Sequence, residues 1–265
     1  MSDLLVAALL GILQGLTEFL PISSTAHLLI AEKVFRLDSA RFGLSFTIAV
    51  HIGTVLAVLI YFARTWLELA ADVLARRWRM PLLIALGILP AAAAGILLEG
   101  VIESRLRDIR AVAAGLVLGS LVFWLAERTA SGQRGLGSLG AADAVALGLA
   151  QAAALVPGVS RSGITISAGL ALGLRRADAT RFSFLLATPV IGGVAAKALL
   201  DARRSAELFA QPDLVLVGVA ASFLSGFAAV AFLMRFLRTN SLAWFIPYRL
   251  ALAAALVVAA LLGVA

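Results

Sequence analysis

Long apolar runs alternate with short, polar, arginine-bearing connections along most of the chain. A helix of about 20 residues spans the bilayer core, and the runs predict helices near 3–20, 24–35, 43–63, 82–98, 111–127, 141–156, 162–174, 182–200, 213–234 and 243–264. Four of these, 3–20, 24–35, 141–156 and 162–174, are short or interrupted by proline and small polar residues. Each adjacent pair is expected to form a re-entrant helical hairpin instead of two full crossings. The expected fold is an all-α integral membrane protein of about ten helices, with roughly six transmembrane spans plus two re-entrant hairpins.

Composition sharpens this picture. Of 265 residues, 62% are hydrophobic and only 14% charged, against roughly 25% charged in soluble domains, and the mean hydropathy is +1.03. A net charge of +7 raises nucleic acid as a partner. The arginines, however, cluster between apolar runs, as at Arg76, Arg77 and Arg79 or at Arg175 and Arg176. Anchoring at the cytoplasmic membrane surface accounts for them, so membrane lipids are expected as partners and nucleic acid is not. The absence of cysteine excludes thiolate metal sites, disulfides and cysteine nucleophiles. The first thirty residues hold no Lys or Arg and so lack the basic region of a secretory signal; this segment is expected to be retained.

The chain also echoes itself. Gly11-Ile12-Leu13-Gln14 with Pro21 and Ser24 is matched by Gly148-Leu149-Ala150-Gln151 with Pro157 and Ser160, roughly 137 residues later. Arg41-Phe42 followed by Gly53 is matched by Arg181-Phe182 followed by Gly193. Paired broken helices in a repeat point to an inverted-topology repeat whose hairpin tips meet. It lies within a single polytopic membrane domain, 1–265, with halves of roughly 1–135 and 136–265. The arginine-bearing connections 64–81, 128–140 and 175–181 should be cytoplasmic. Both termini then lie outside, the first hairpin enters from the outer side, and the second enters from the cytoplasm.

Candidate chemistry gathers at the two breaks. Gln14 and Glu18, spaced i, i+4, share one helix face and suit a metal ion or a substrate hydroxyl; the plainer reading is a solvated helix end. Pro21-Ile22-Ser23-Ser24-Thr25-Ala26-His27 follows, where proline ends one helix and a serine caps the next. A helix N-terminus there favours phosphate. Ser24 and His27 suggest a nucleophile and its base, with Glu18 orienting the imidazole or binding a cation; serines and threonines also cap helices with no further role. The second break, Pro157-Gly158-Val159-Ser160-Arg161-Ser162-Gly163-Ile164-Thr165, adds an arginine whose planar fork matches phosphate oxygens, an ion pair with Glu18 being the bland alternative. Together these groups describe a site for a phosphorylated lipid, with phosphoryl transfer as the reaction class. His51, within an apolar run, reads as a hydrogen-bonded helix contact or a second layer behind the site. Gly192, Gly193, Ser222, Ser225 and Gly226 read as close-packing positions. Neither a Walker-type loop nor paired metal-ligand histidines are present in the sequence.

The strings running from Gln14 to His27 and from Pro157 to Thr165 closely resemble the signatures of the bacitracin-resistance family of undecaprenyl pyrophosphate phosphatases. The likeness continues through Arg181-Phe182-Ser183-Phe184-Leu185-Leu186-Ala187-Thr188-Pro189 to Tyr248-Arg249, and so covers nearly the whole chain. The resemblance implies a multi-pass protein of the bacterial inner membrane, often a homodimer, with its site facing the periplasm. Its expected reaction converts a polyprenyl pyrophosphate to the monophosphate carrier used in cell-wall synthesis. It implies a divalent cation, Mg2+ or Ca2+, held by Glu18 with Gln14, and hard oxygen ligands suit such ions. By the same match Ser24 is the nucleophile, Glu18 and His27 are catalytic, and Arg161 clamps the phosphoryl group, while Ser23, Thr25, Ser160, Ser162 and Thr165 line the site. Gln14 stands at a position that many members fill with Glu, which weakens a two-carboxylate metal site. His51 stands where an uncharged amide is more usual.

Two rivals use the same features. A lipid transporter would use broken helices and a phosphate pocket for translocation and would release no phosphate. A protein that only shields the lipid from an antibiotic would need Arg161 but not Ser24. The pairing of an activated hydroxyl with an imidazole favours hydrolysis.

Overall fold

In lipid every backbone N–H and C=O must be bonded within the protein, which leaves apolar runs little choice but helix. The computed structural model describes residues 2–105 and 108–262. Its helices are α1 (Asp3–Phe19), α2 (Ser24–Val34), α3 (Ser39–Phe42), α4 (Leu44–Tyr61), α5 (Ala63–Leu74), α6 (Arg79–Arg105), α7 (Ile109–Thr129), α8 (Ala141–Ala153), α9 (Arg161–Ala171), α10 (Arg176–Leu200), α11 (Ala202–Phe209), α12 (Pro212–Phe236) and α13 (Ile246–Leu261). Short 3-10 turns occupy Leu136–Ser138 and Leu242–Phe245. Among the described residues the only β pairing is an isolated bridge between Arg134 and Leu174.

The expected all-α membrane architecture is what the chain adopts. Among the described residues six stretches are long and apolar enough to cross a bilayer: Ser39–Tyr61, Arg79–Leu98, Ile109–Thr129, Arg176–Leu200, Pro212–Phe236 and Leu242–Leu261. Many of their apolar side chains face outward, including Leu97, Leu200 and Leu216, as lipid contact requires. The four helices expected to be short measure 17, 11, 13 and 11 residues. The last predicted helix, 243–264, matches α13 and its leading turn, and its final two residues lie outside the described residues.

Besides the single turn of α3, two helices escaped the hydropathy pattern. The arginine-rich connection 64–81 contains α5, and a further helix, α11, lies between two apolar runs. Arg64, Glu68 and Asp72 punctuate the first and make it amphipathic, and Glu207 interrupts the second. A helix that is half polar does not register as an apolar run.

The helices form two compact units, each drawing on both halves of the sequence. The first takes in α1 to α4, α10 from Thr188 onward, α11, and α12 as far as Leu233. Its core includes Val6, Ala7, Leu10, Leu28, Phe42, Phe46, Val50 and Leu214, with the Phe42 and Phe46 rings edge to face at 5.3 Å. Small residues bring α1 and α12 into close contact. A Cβ at Gly15 would stand 2.0 Å from Ser225 Oγ and 2.5 Å from the Ser222 carbonyl, and Ser222 Oγ donates to the Val50 carbonyl at 2.7 Å. Ser222, Ser225 and Gly226 are thus the packing positions that the sequence suggests. Gly193 is not, because a Cβ there would meet nothing within 4 Å.

The second unit comprises Pro21–Ser23, α5 to α9, α10 as far as Ala187, and the chain from Met234 through α13. Here α7 packs on α9 and α13, while α8 packs on α6 and α9. Several arginines expected only as membrane anchors are also structural pins. Arg134 pairs with Asp143 at 2.6 Å and donates to the Leu172 carbonyl at 2.8 Å, tying the loop before α8 to the end of α9. That guanidinium, with the Gly140 N–H as a smaller contributor, holds the Asp143 carboxyl below the usual aspartate value. Arg176 pairs with Glu127, whose other oxygen accepts from the Leu242 N–H at 2.7 Å.

Candidate active site

In the first unit, α1 carries Gln14 and Glu18 on one buried face, at 0% and 6% exposure. A carboxylate so placed must be satisfied by polar neighbours or it neutralises. Glu18 Oε2 accepts from Gln14 Nε2 at 3.0 Å and from Ser24 Oγ at 2.7 Å. The break at Pro21 makes the second contact possible, since it turns the chain back and lets Ser24 open α2 beside the end of α1. At 2.7 Å the hydroxyl-to-carboxylate bond is short and charge-assisted. The one proton of Ser24 therefore points at Glu18, the group placed to receive it. His27 is buried in the first turn of α2, and Thr25 is exposed.

His51 on α4 joins this cluster. Its Nδ1 lies 2.6 Å from the Thr47 carbonyl, which can only accept, so Nδ1 carries the proton. Its Nε2 faces Glu18 Oε2 at 3.7 Å. One ring nitrogen thus makes the expected helix contact while the other faces the Glu18 carboxylate. In the neutral ring, that nitrogen is an acceptor facing an acceptor, an arrangement that a proton or a cation between them satisfies.

In the second unit, Gly158 takes a φ of +90° and Ser160 a φ of +75° with ψ 110°. The glycine adopts its conformation freely. The serine sits in a sparsely populated region costing about 1–3 kcal/mol. Ser160 caps α9, its Oγ accepting from the Gly163 N–H at 3.4 Å and lying 3.3 Å from Ser162 Oγ. Arg161 is the first residue of α9. Thr165 is fully buried and donates to the Arg161 carbonyl at 2.8 Å, with Ser183 on its other side; its hydroxyl braces the helix that carries Arg161. Ser23 repeats the backbone of Ser160, also at φ +75°, and is buried.

Sequence reasoning missed Arg249, naming it only as the far edge of a resemblance. It is completely buried on α13. Its guanidinium donates to Ser120 Oγ at 3.0 Å and to the carbonyls of Pro21, Leu116, Gly158 and Val159 at 3.2, 3.1, 3.0 and 3.1 Å. Phe123 lies under it, its ring centroid 4.6 Å away. A charged residue inside an otherwise apolar final span was the available signal.

Fold and motifs together define a class: a polytopic helical membrane protein with a carboxylate, a hydroxyl and an arginine placed where pairs of short helices break. The family model for bacitracin resistance protein BacA matches residues 7–255. An undecaprenyl-diphosphatase of Rubrobacter xylanophilus is 43% identical, with 99% of each chain covered. One from Thermodesulfovibrio yellowstonii is 44% identical over 94% of each. One from Myxococcus xanthus is 42% identical over 97% of this chain and 89% of its own. The chain belongs to the BacA bacitracin-resistance family.

Proposed function

We infer that the protein is an undecaprenyl-diphosphate phosphatase. It cleaves the terminal phosphoanhydride of undecaprenyl pyrophosphate, yielding undecaprenyl phosphate and inorganic phosphate, and so returns the lipid carrier to cell-wall synthesis and confers resistance to bacitracin. Family membership supports the reaction, and the 2.7 Å bond from Ser24 Oγ to Glu18 is the observation that carries the chemistry.

Ser24 Oγ attacks the terminal phosphorus while Glu18 takes its proton, and the bond from phosphorus to the bridging oxygen breaks, releasing the lipid monophosphate. Water then attacks the seryl phosphate, its proton drawn by His27, and the bond from phosphorus to Ser24 Oγ breaks as Glu18 returns its proton to that oxygen, so phosphate leaves with Ser24 and Glu18 restored. Arg161, with the hydroxyls of Ser160 and Ser162, neutralises phosphate oxygens as charge moves onto the leaving group. Ser23 holds the turn ahead of Ser24.

A divalent cation fits the acid cluster. Gln14 Oε1 is buried without a hydrogen-bond partner, its amide neighbours Glu18 Oε2, and the acceptor His51 Nε2 faces the same oxygen. Among the described residues no three His, Cys, Asp or Glu side chains gather as a metal centre, so a cation here rests on one carboxylate, one amide oxygen and one imidazole. Bound there, Mg2+ or Ca2+ would supply positive charge to the phosphate oxygens.

An inverted-topology repeat with two re-entrant hairpins organises the site. At the 137-residue offset that relates Gln14 to Gln151, both buried, the counterpart of Ser160 is Ser23 and not the Ser24 that the sequence pattern suggested, and these two serines share φ +75°. With the arginine-bearing connections on the cytoplasmic side of the inner membrane, the site opens to the periplasm.

The test is phosphate release by the purified protein from a C55 or C15 polyprenyl pyrophosphate, with magnesium or with a chelator, for wild type and for Ser24→Ala, Glu18→Ala and Arg161→Ala. Release that needs the cation and all three residues is expected. No release from folded wild type would overturn the hydrolytic reading in favour of a transporter or a shield for the lipid.

A further inference from the structure

The Arg249 guanidinium has no carboxylate among its described partners. It is held by neutral oxygens and one aromatic face, and three of those oxygens belong to the helix breaks: Pro21 in the first motif, Gly158 and Val159 in the second. Burying an arginine side chain on neutral acceptors is costly unless every donor is satisfied. Here Nε, Nη1 and Nη2 all donate. Close packing fixes the arrangement, since a Cβ at Gly119 would stand 2.3 Å from Arg249 Nη2 and 2.6 Å from the Val159 carbonyl.

In a trans peptide the C=O and the following N–H point in opposite directions. Gripping the carbonyls of Pro21 and Val159 therefore turns the N–H groups of Ile22 and Ser160 away from the arginine. The same grip acts next to the two strained residues: the Val159–Ser160 peptide sets the φ of Ser160, and Pro21 lies two residues before Ser23. Non-glycine residues hold such conformations only where their surroundings over-determine them. Arg249 bonds the backbone at both breaks.

We propose that Arg249 is a positioning residue for the hydrolysis: its guanidinium clamps both motif turns by their carbonyls, holding Ser23 and Ser160 in strained conformations that aim the turns' N–H groups and hydroxyls for phosphate. It rests on the hydrolytic reading and assigns Arg249 no contact with substrate. The planar fork, not the charge alone, does this, because a lysine ammonium is a point donor that reaches one turn at a time.

The experiment measures kcat and KM for phosphate release in detergent for wild type, Arg249→Lys, Arg249→Ala and Ser120→Ala, with thermal unfolding of each. Misalignment of about 1 Å lowers turnover on the order of 100-fold, so Arg249→Lys is expected to lose about that in kcat with KM within about 3-fold, since Arg249 itself is assigned no contact with substrate. Millimolar guanidinium is expected to restore at least about tenfold in Arg249→Ala and nothing in Arg249→Lys, a response that a loss of stability alone would not give. Ser120→Ala removes only the Nε anchor and should fold even if the arginine variants do not; its kcat is expected to fall about 3- to 10-fold at unchanged KM. Wild-type kcat in folded Arg249→Lys, or in Ser120→Ala where the arginine variants fail to fold, would overturn the clamp. Inactivity of wild type in the same assay would instead sink the hydrolytic reading itself.

Discussion

Glu18 and Ser24 should behave as one catalytic unit, and a double-mutant cycle tests it. Both Gln14 Nε2 and Ser24 Oγ donate to the same oxygen of Glu18. A glutamine at position 18 can place its amide oxygen there and keep both bonds, so Glu18→Gln removes basicity while preserving shape. Stability is expected to change by less than about 1 kcal/mol, the scale of one hydrogen bond. A positioned general base contributes about 10²- to 10⁴-fold, or roughly 3–5 kcal/mol at about 1.36 kcal/mol per tenfold. Phosphate release by Glu18→Gln should fall in that range with little change in KM. Ser24→Ala, which removes the attacking oxygen, should fall at least as far. Because Glu18 takes its proton from Ser24, the double variant, assayed at magnesium high enough to keep the cation bound in every variant, should be no slower than Ser24→Ala within about threefold, since residues that act as a unit are grossly non-additive. Independent roles would multiply the two losses to about 10⁴-fold or more. A double variant slowed by the product of the single losses, measured on folded protein, would refute the pairing.

Further outcomes follow from other parts of the molecule. Gly15→Ala places a Cβ 2.0 Å from Ser225 Oγ and should destabilise the first unit by about 1–3 kcal/mol, whereas Gly193→Ala, in open space on a helix, should be neutral or stabilising by up to about 1 kcal/mol; melting in detergent separates them. Gln14→Glu should lower the magnesium concentration needed for half-maximal phosphate release by adding a charged oxygen to the cluster, and an unchanged requirement would place the cation elsewhere. Asp143, its pKa depressed chiefly by Arg134, contributes stability that is present above the unfolded value of about 3.9 and is lost as pH falls through the lower folded value. The melting difference between wild type and Asp143→Asn should therefore be constant near neutrality and shrink below about pH 4, and a gap independent of pH would contradict the assignment.

The acidic cluster was legible because polar groups at membrane depth are expensive and stand out against apolar neighbours. Gln14 and Glu18 announce a shared face by their spacing, and Pro21 announces the turn that brings Ser24 round. The role of each group was less legible. Spacing suggested that His27 activates Ser24, whereas the chain's reversal sends the Ser24 proton to Glu18. Thr165, expected to line the site, spends its hydroxyl on Arg161's carbonyl and on Ser183. His51, which by sequence alone could be a mere helix contact, is turned toward Glu18 by the Thr47 carbonyl.

The amino-acid sequence by itself determined that this chain crosses a membrane, where its long helices run, where the short ones break, and which polar residues gather at the breaks. Those features are local: hydropathy over about 20 residues, proline, and capping hydroxyls act within a turn or two of themselves. Tertiary structure decided what the sequence leaves open at long range. Arg249 bonds carbonyls of residues 21, 115, 116, 158 and 159, and every residue has a carbonyl, so no side-chain pattern marks those five as its partners. Packing decided likewise that Gly15 is crowded and Gly193 free, since the same residue type is needed only where another helix comes close enough to exclude a Cβ.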